Sequence, residues 1–147
     1  MAGVGRITVH HTGWDPIYYD DYTQTRKHLE KIRKYHVKER HWADIGYHYI
    51  IDRGGRIWQA RPVHFQGAHV KLHNEHNLGV MLMGNFDRQQ PTGRQYQSLT
   101  AALTYFQRLY QIPVRHVYTH QELNKTDCPG TRLQRHMVSL RRNGHLV

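Results

Sequence analysis

The sequence predicts a single α/β domain in which a central mixed β-sheet is flanked by helices. Strand patterns and helix patterns are interspersed along the chain, which is typical of helices packed on the faces of a sheet. The length of 147 residues fits one domain, and 38% hydrophobic residues are enough for one core. No repeat or linker divides the chain, so we expect residues 1–147 to form one domain with a core from about 6 to 140.

Five segments share the patterns of β-strands, which are alternation of polar and apolar residues or a short apolar run. They are residues 6–11, 46–51, 56–60, 78–83 and 114–119. Asp52–Gly55 is typical of a tight turn, so the second and third segments are expected to form a hairpin. The order of the strands in the sheet does not follow from these patterns.

Three segments have the spacing of helices. Residues 22–38 place Leu29, Ile32 and His36 on one face and basic residues elsewhere. A second helix is expected after Thr92 and Gln95, whose spacing fits a capping box. Its apolar face would carry Leu99, Ala102, Leu103, Phe106 and Leu109. Residues 131–142 form the third candidate, with Leu133, Met137 and Leu140 facing inwards.

The chain is strongly basic, with 21 Lys and Arg against 11 Asp and Glu, a net charge of +10. Such a charge attracts polyanions, including nucleic acids and the acidic polymers of a bacterial envelope. The net charge is the single feature that favours nucleic-acid binding. Since no recognition motif accompanies it, no nucleic-acid partner is expected. No apolar run approaches the roughly 18 residues of a transmembrane helix. The first residues lack the pattern of a secretion signal, so synthesis in the cytoplasm is expected.

The sequence contains 14 histidines and one cysteine, and three segments at predicted strand ends carry possible metal ligands. These are the pair His10 and His11, then His120, then Cys128. Two imidazoles and a thiolate suit Zn²⁺, and three protein ligands leave a fourth tetrahedral position open, as in catalytic zinc sites. Pro129–Gly130 would close the loop that carries Cys128. Since side chains alternate along a strand, only one of His10 and His11 can reach the metal, and spacing alone does not say which.

Five blocks of sequence, two of which contain the possible metal ligands, are distributed over most of the chain. They are Ile7–Thr12, Trp42–Ile51, Gly67–His69, Leu78–Phe86, and His120 with Asp127–Gly130. In these blocks, and in their order, the chain resembles the type-2 zinc-dependent N-acetylmuramoyl-L-alanine amidases. That family includes the bacteriophage amidase lysozymes and the animal peptidoglycan recognition proteins.

The resemblance implies a metal site with one Zn²⁺ per chain. Its ligands would be His10, His120 and Cys128. The resemblance thus selects the first histidine of the pair at the end of the first strand. Recognition proteins that only bind have lost the cysteine, so the presence of Cys128 favours catalysis.

The resemblance also implies the residues that would surround the metal. Tyr47 and Thr126 are expected to act in catalysis by donating hydrogen bonds to the tetrahedral intermediate, and Lys125 ranks below Thr126. His69 and Asn74 are expected to bind the substrate. Each of these residue types is common in positions without catalytic function, so the family pattern rather than the residue alone supports these roles.

The activity that the resemblance implies is hydrolysis of the amide bond between N-acetylmuramic acid and L-alanine in peptidoglycan. A lytic enzyme is expected, either an endolysin of phage or prophage type or a bacterial cell-wall amidase. One alternative is a muropeptide-binding module without catalysis. Another is a cytoplasmic amidase that recycles anhydro-muropeptides, but some of those relatives carry a Glu where this chain has Met81.

Partners and location follow from the same expectations. The substrate would be peptidoglycan or a muropeptide, and the basic residues of segment 22–38 would attract the anionic cell envelope. No separate wall-binding domain is expected within these 147 residues, and a monomer is expected. The protein would act on the wall, in the periplasm or outside the cell, after release by an unidentified route.

Overall fold

The computed structural model describes residues 1, 3–42 and 44–147. The strands in this part of the chain are β1 Arg6–His11, β2 Tyr49–Ile51, β3 Ile57–Gln59, β4 Asn77–Leu82 and β5 Val117–Thr119. The helices are α1 Tyr22–Lys38, α2 Gly93–Tyr110 and α3 Thr131–Arg142. Short 3-10 turns flank β5 at Val114–His116 and His120–Glu122. No helix in the described part of the chain combines the length and apolarity that a bilayer crossing requires.

The strands form one mixed sheet in the order β3-β2-β4-β1-β5. Strand β1 pairs in parallel with β4 on one side and with β5 on the other, and β2 is parallel to β4. Strand β3 runs antiparallel to β2 and closes the expected hairpin at one edge. The predicted fold class, a single domain with a mixed sheet between helices, is confirmed.

The two faces of the sheet pack against different helices. Ile7 and Val9 of β1 belong to a large apolar cluster that includes Leu103 of α2 and Met137 of α3. On the opposite face, a smaller cluster contains Ile32 of α1 together with residues of β2 and β4. The structure therefore has three layers, with α1 on one face of the sheet and α2 and α3 on the other.

Strand β2 begins at Tyr49, three residues later than predicted. Gly46 lies in a loop contact instead, because its N–H donates to Nδ1 of His36 and its carbonyl accepts from Ala68 N–H. A Cβ at Gly46 would lie 2.3 Å from the Ala68 carbonyl oxygen, so only glycine allows this approach.

Strand β5 is also shorter than the predicted segment 114–119. The N–H of His116 donates to the carbonyl of Pro113, which curls Val114–His116 into a 3-10 turn before the strand starts at Val117.

On α2 the capping box of Thr92 and Gln95 is present as predicted. Leu109, expected on the apolar face, is exposed at the end of that helix.

Candidate functional site

The site lies where β1 and β5 end side by side. Continuing the parallel register one step beyond Val9 and Thr119 sets His120 beside His10. The two imidazole centroids are 4.7 Å apart. His11 points to the opposite face, where its Nδ1 accepts a hydrogen bond from Phe86 N–H. The structure thus separates the two neighbouring histidines as strand alternation requires.

Cys128 reaches the same place from the loop before α3. Its Sγ lies 3.6 Å from Nδ1 of His10 and 3.4 Å from the backbone nitrogen of His11, which donates to it. One potential ligand atom from each of His10, His120 and Cys128 lies within 4.8 Å of the other two. The structure therefore brings together the three side chains that the sequence analysis selected as metal ligands.

This donor set fits a zinc ion in chemistry and in spacing. Zn–N distances of about 2.1 Å and a Zn–S distance of about 2.3 Å place tetrahedral N and S ligands roughly 3.6 Å apart. The observed separation of His10 Nδ1 and Cys128 Sγ is 3.6 Å. His10 is almost fully buried, whereas His120 and Cys128 are half-buried, so the open side of the cluster faces the surface.

Burial keeps the metal-facing groups uncharged. Loss of solvation lowers the pKa of His10 well below its ordinary value, and the neighbouring His69 and His120 lower it further. Burial likewise lowers the pKa of His120 and raises the pKa of the Cys128 thiol to about 12. The imidazoles are therefore neutral at pH 7 and offer a lone pair. A bound dication would reverse the preference of the thiol, because coordination deprotonates it.

The loop that carries Cys128 is fixed at its end by α3 and the segment after β4. Gly130 adopts φ +86°, and a Cβ there would lie 2.7 Å from the backbone of Phe86. The carboxylate of Asp87 accepts from both N–H and Oγ1 of Thr131 at the start of α3. Gly130 N–H closes a turn on the carbonyl of Asp127. These contacts fix where Cys128 stands relative to β1.

The two expected hydrogen-bond donors both lie beside the cluster. The ring of Tyr47 is 5.2 Å from that of His10, and burial, followed by the nearby Cys128, raises the pKa of its hydroxyl. Oγ1 of Thr126 accepts from Cys128 N–H at 3.2 Å, which leaves its own proton free to donate. Lys125 is exposed. The catalytic roles of Tyr47 and Thr126 stay predictions, and their positions are compatible with them.

His69 and Asn74, expected to bind substrate, have other hydrogen-bond partners. His69 is only 8% exposed, with Nδ1 2.9 Å from Nε2 of His10 and Nε2 2.9 Å from the carbonyl of Asn77. Burial lowers its pKa to about 3. Oδ1 of Asn74 accepts from the N–H groups of His69 and Val70 and so shapes the loop. This geometry argues against substrate contact through the ring nitrogens of His69, since both already have protein partners.

Two residues at the site were missed in the sequence analysis. Oδ1 of Asn124 lies 3.3 Å from Nε2 of His120, and its spacing of four residues after that histidine could have indicated the contact. His36 was assigned only to the inner face of α1. Its Nδ1 accepts from Gly46 N–H, and its ring lies 5.8 Å from Tyr47, so it helps to place that tyrosine.

The chain matches a known protein family over most of its length. The family described as N-acetylmuramoyl-L-alanine amidase matches residues 2–131. A human protein named N-acetylmuramoyl-L-alanine amidase is 29% identical over 132 residues, which are 88% of this chain. The chain spans only 23% of the length of that relative.

Solved structures share the fold over nearly the whole chain. The amidase LysC from Clostridium intestinale is 28% identical with a TM-score of 0.79, and the match covers 96% of this chain and 86% of that one. Peptidoglycan recognition protein LE, solved with tracheal cytotoxin, gives a TM-score of 0.81 at 22% identity. That match covers 97% of this chain and 82% of that one, and shows a common fold.

The pH dependence of stability should report on His36. Burial, followed by Arg40 and Arg61, lowers its pKa to about 4, whereas an unfolded histidine has a pKa of about 6.5. Between these values the unfolded state binds a proton that the folded state does not, so the free energy of unfolding decreases as the pH falls. We expect His36→Asn, whose amide oxygen can still accept from Gly46 N–H, to reduce this slope in urea unfolding.

The matched control is His41→Asn, at an exposed position near the end of α1. It should leave the slope between about pH 4 and pH 6.5 as in the wild type. An unchanged slope in His36→Asn would show that this histidine does not stay neutral in the folded protein.

Proposed function

We propose, since this chain belongs to the N-acetylmuramoyl-L-alanine amidase family, that it hydrolyses the amide bond between N-acetylmuramic acid and L-alanine in peptidoglycan with the help of zinc. The observation that carries the proposal is the convergence of His10, His120 and Cys128, with the hydroxyl-bearing Tyr47 and Thr126 beside them. A module that only binds would need no such donor set. Among the alternatives, the lytic role is proposed over binding alone and over muropeptide recycling.

His10, His120 and Cys128 would hold the zinc ion. When bound, zinc supplies Lewis acidity, which makes water available as a nucleophile near neutral pH and polarises a carbonyl. The buried imidazoles present neutral lone pairs for this purpose. The N–H of His11 donates to Sγ of Cys128 and stabilises the thiolate form of that ligand.

Tyr47 and Thr126 act as hydrogen-bond donors in the proposed reaction. The raised pKa of Tyr47 keeps its hydroxyl protonated, so it can donate to the oxygen on which negative charge develops as the carbonyl is attacked. Thr126 is already oriented by its bond from Cys128 N–H and can act as a second donor with its own hydroxyl proton. Donors fixed before the reaction stabilise the transition state without reorganisation at the moment of attack.

The direct test is the mass of the products released from a defined muropeptide. We expect free L-alanine amino termini and intact N-acetylmuramic acid, with release abolished by EDTA and restored by added zinc. Cys128→Ala should abolish release, because it removes one of the ligands. The control is His116→Ala, which changes the last residue of the 3-10 turn before β5, outside the cluster. This variant should cleave normally. Binding of the muropeptide without cleavage would support the module that only binds.

A second prediction concerns Tyr47. Replacing it with Phe removes one donor to the developing oxyanion, so kcat should fall by about 10²–10³-fold. The zinc content should stay unchanged, since Tyr47 is not among the ligands. Tyr49→Phe is the matched control, because Tyr49 packs against Phe106 of α2 rather than against the cluster. Wild-type turnover in Tyr47→Phe would remove this hydroxyl from the reaction.

The exposed face of α1 supports the further proposal that the protein is attracted to an anionic envelope. Lys27, Lys31, Lys34 and Lys38 follow each other at intervals of four, three and four residues, which places them on one stripe of the helix, about 16 Å long. All four are exposed, and none forms an ion pair with an acid of the described residues. Like charges at such spacing repel each other along the helix. A bound polyanion would offset this repulsion between the four lysines.

Neutralising this lysine stripe should weaken attraction to the anionic envelope without changing hydrolysis of the amide bond itself. With all four lysines changed to Gln, activity on whole cells or intact walls should fall, more strongly at low salt, because charges beyond about 8 Å are screened at physiological ionic strength. Activity on a small soluble muropeptide should stay the same. The control changes an equal charge elsewhere, at four exposed arginines. These are Arg108, Arg115, Arg135 and Arg142. Equal loss in both variants, or on both substrates, would refute the role of the stripe.

A further inference from the structure

A chain of two buried hydrogen bonds runs from the candidate metal site into the protein. Nε2 of His10 lies 2.9 Å from Nδ1 of His69, and Nε2 of His69 lies 2.9 Å from the backbone carbonyl of Asn77. We propose that His69 is a positioning residue, which holds His10 in the tautomer that turns an unprotonated Nδ1 towards Cys128. This inference rests on the proposed zinc-dependent function and concerns the orientation of one ligand.

The donors and acceptors in these two hydrogen bonds follow from the final acceptor, the backbone carbonyl of Asn77. A carbonyl oxygen can only accept, so Nε2 of His69 must carry the hydrogen and donate it to the Asn77 carbonyl in this bond. A neutral His69 then has its lone pair on Nδ1 and accepts from His10, whose proton must be on Nε2. The remaining nitrogen of His10, Nδ1, carries a lone pair and is the atom 3.6 Å from Sγ of Cys128.

The surroundings of His69 leave its ring little freedom to move. A Cβ on Gly67 would lie 2.6 Å from Cδ2 of His69, and a Cβ on Gly79 would lie 2.8 Å from the same ring. The absence of side chains at these two positions therefore creates the slot in which the imidazole lies. The backbone of His69 is fixed as well, because its N–H donates to Oδ1 of Asn74.

The loop of residues 69–74 also supports the second histidine ligand. Nδ2 of Asn124 donates to the carbonyl of Lys71 at 3.3 Å, while Oδ1 of Asn124 lies 3.3 Å from Nε2 of His120. Thus Nε2 of each metal-facing imidazole has a side-chain partner within hydrogen-bond distance. The loop of residues 69–74 contains one of these partners, His69, and contacts the other, Asn124. Such outer contacts set the orientation and basicity of metal ligands, and their loss weakens metal binding by about 10- to 100-fold.

The test compares two substitutions of His69 by the Kd for zinc in chelator competition. His69→Leu fills the slot without an acceptor, and its Kd should rise by about 10- to 100-fold. His69→Gln has an amide oxygen that can accept from His10 and an N–H that can donate to Asn77. Its Kd should be closer to that of the wild type than to that of His69→Leu. A merely structural role would change the melting temperature of both apoproteins without this difference in Kd.

A second measurement does not depend on any variant. Long-range ¹H–¹⁵N spectra of the imidazoles in the wild-type protein with zinc should show His10 protonated at Nε2. A proton on Nδ1 of His10, or wild-type zinc affinity in His69→Leu, would overturn the inference. Hydrolysis measured on the same samples separates the two proposals. If the Kd values differ as expected but no variant or wild type cleaves the muropeptide, the proposed function fails and the role of His69 stands.

Discussion

The parallel pairing of β1 with β5 is the interaction on which the site depends. Because parallel strands end at the same edge of a sheet, the last residues of β1 and the first after β5 are neighbours without any further contact. His10 and His120 occupy these positions. The third side chain, Cys128, has no such constraint from the sheet, and its position depends on the loop contacts of Gly130 and Asp87.

Burial has opposite consequences for the two kinds of donor in the cluster. It keeps the imidazoles neutral, which is the form that binds a metal, but it also favours the protonated thiol of Cys128, which is not. The N–H of His11 offsets part of this preference by donating to the sulfur. Near neutral pH, metal binding should therefore release one proton, from the half-buried thiol, and none from the histidines.

The sequence was sufficient for the parts of the fold that depend on periodicity. The alternation in β1 and the capping box of Thr92 identified their elements to within a residue or two. Strand alternation showed that only one of His10 and His11 could reach the metal, but choosing between them required the family resemblance or the packing of Phe86 on His11. The partners of His69 could not be predicted, because they depend on how closely Gly67 and Gly79 approach its ring. Such approaches between distant segments leave no periodic signal.

The polar network beside the site has a different role from the apolar core on the opposite face of the sheet. Oγ1 of Thr8 donates to Oδ1 of Asn77, and His48 accepts from Gly79 N–H and donates to the carbonyl of Phe65. Each such bond adds only about 1 kcal/mol net, but a buried group left without its partner costs more. The network therefore penalises other arrangements more than it stabilises this one. That property suits a site whose histidine rings must each present one particular nitrogen.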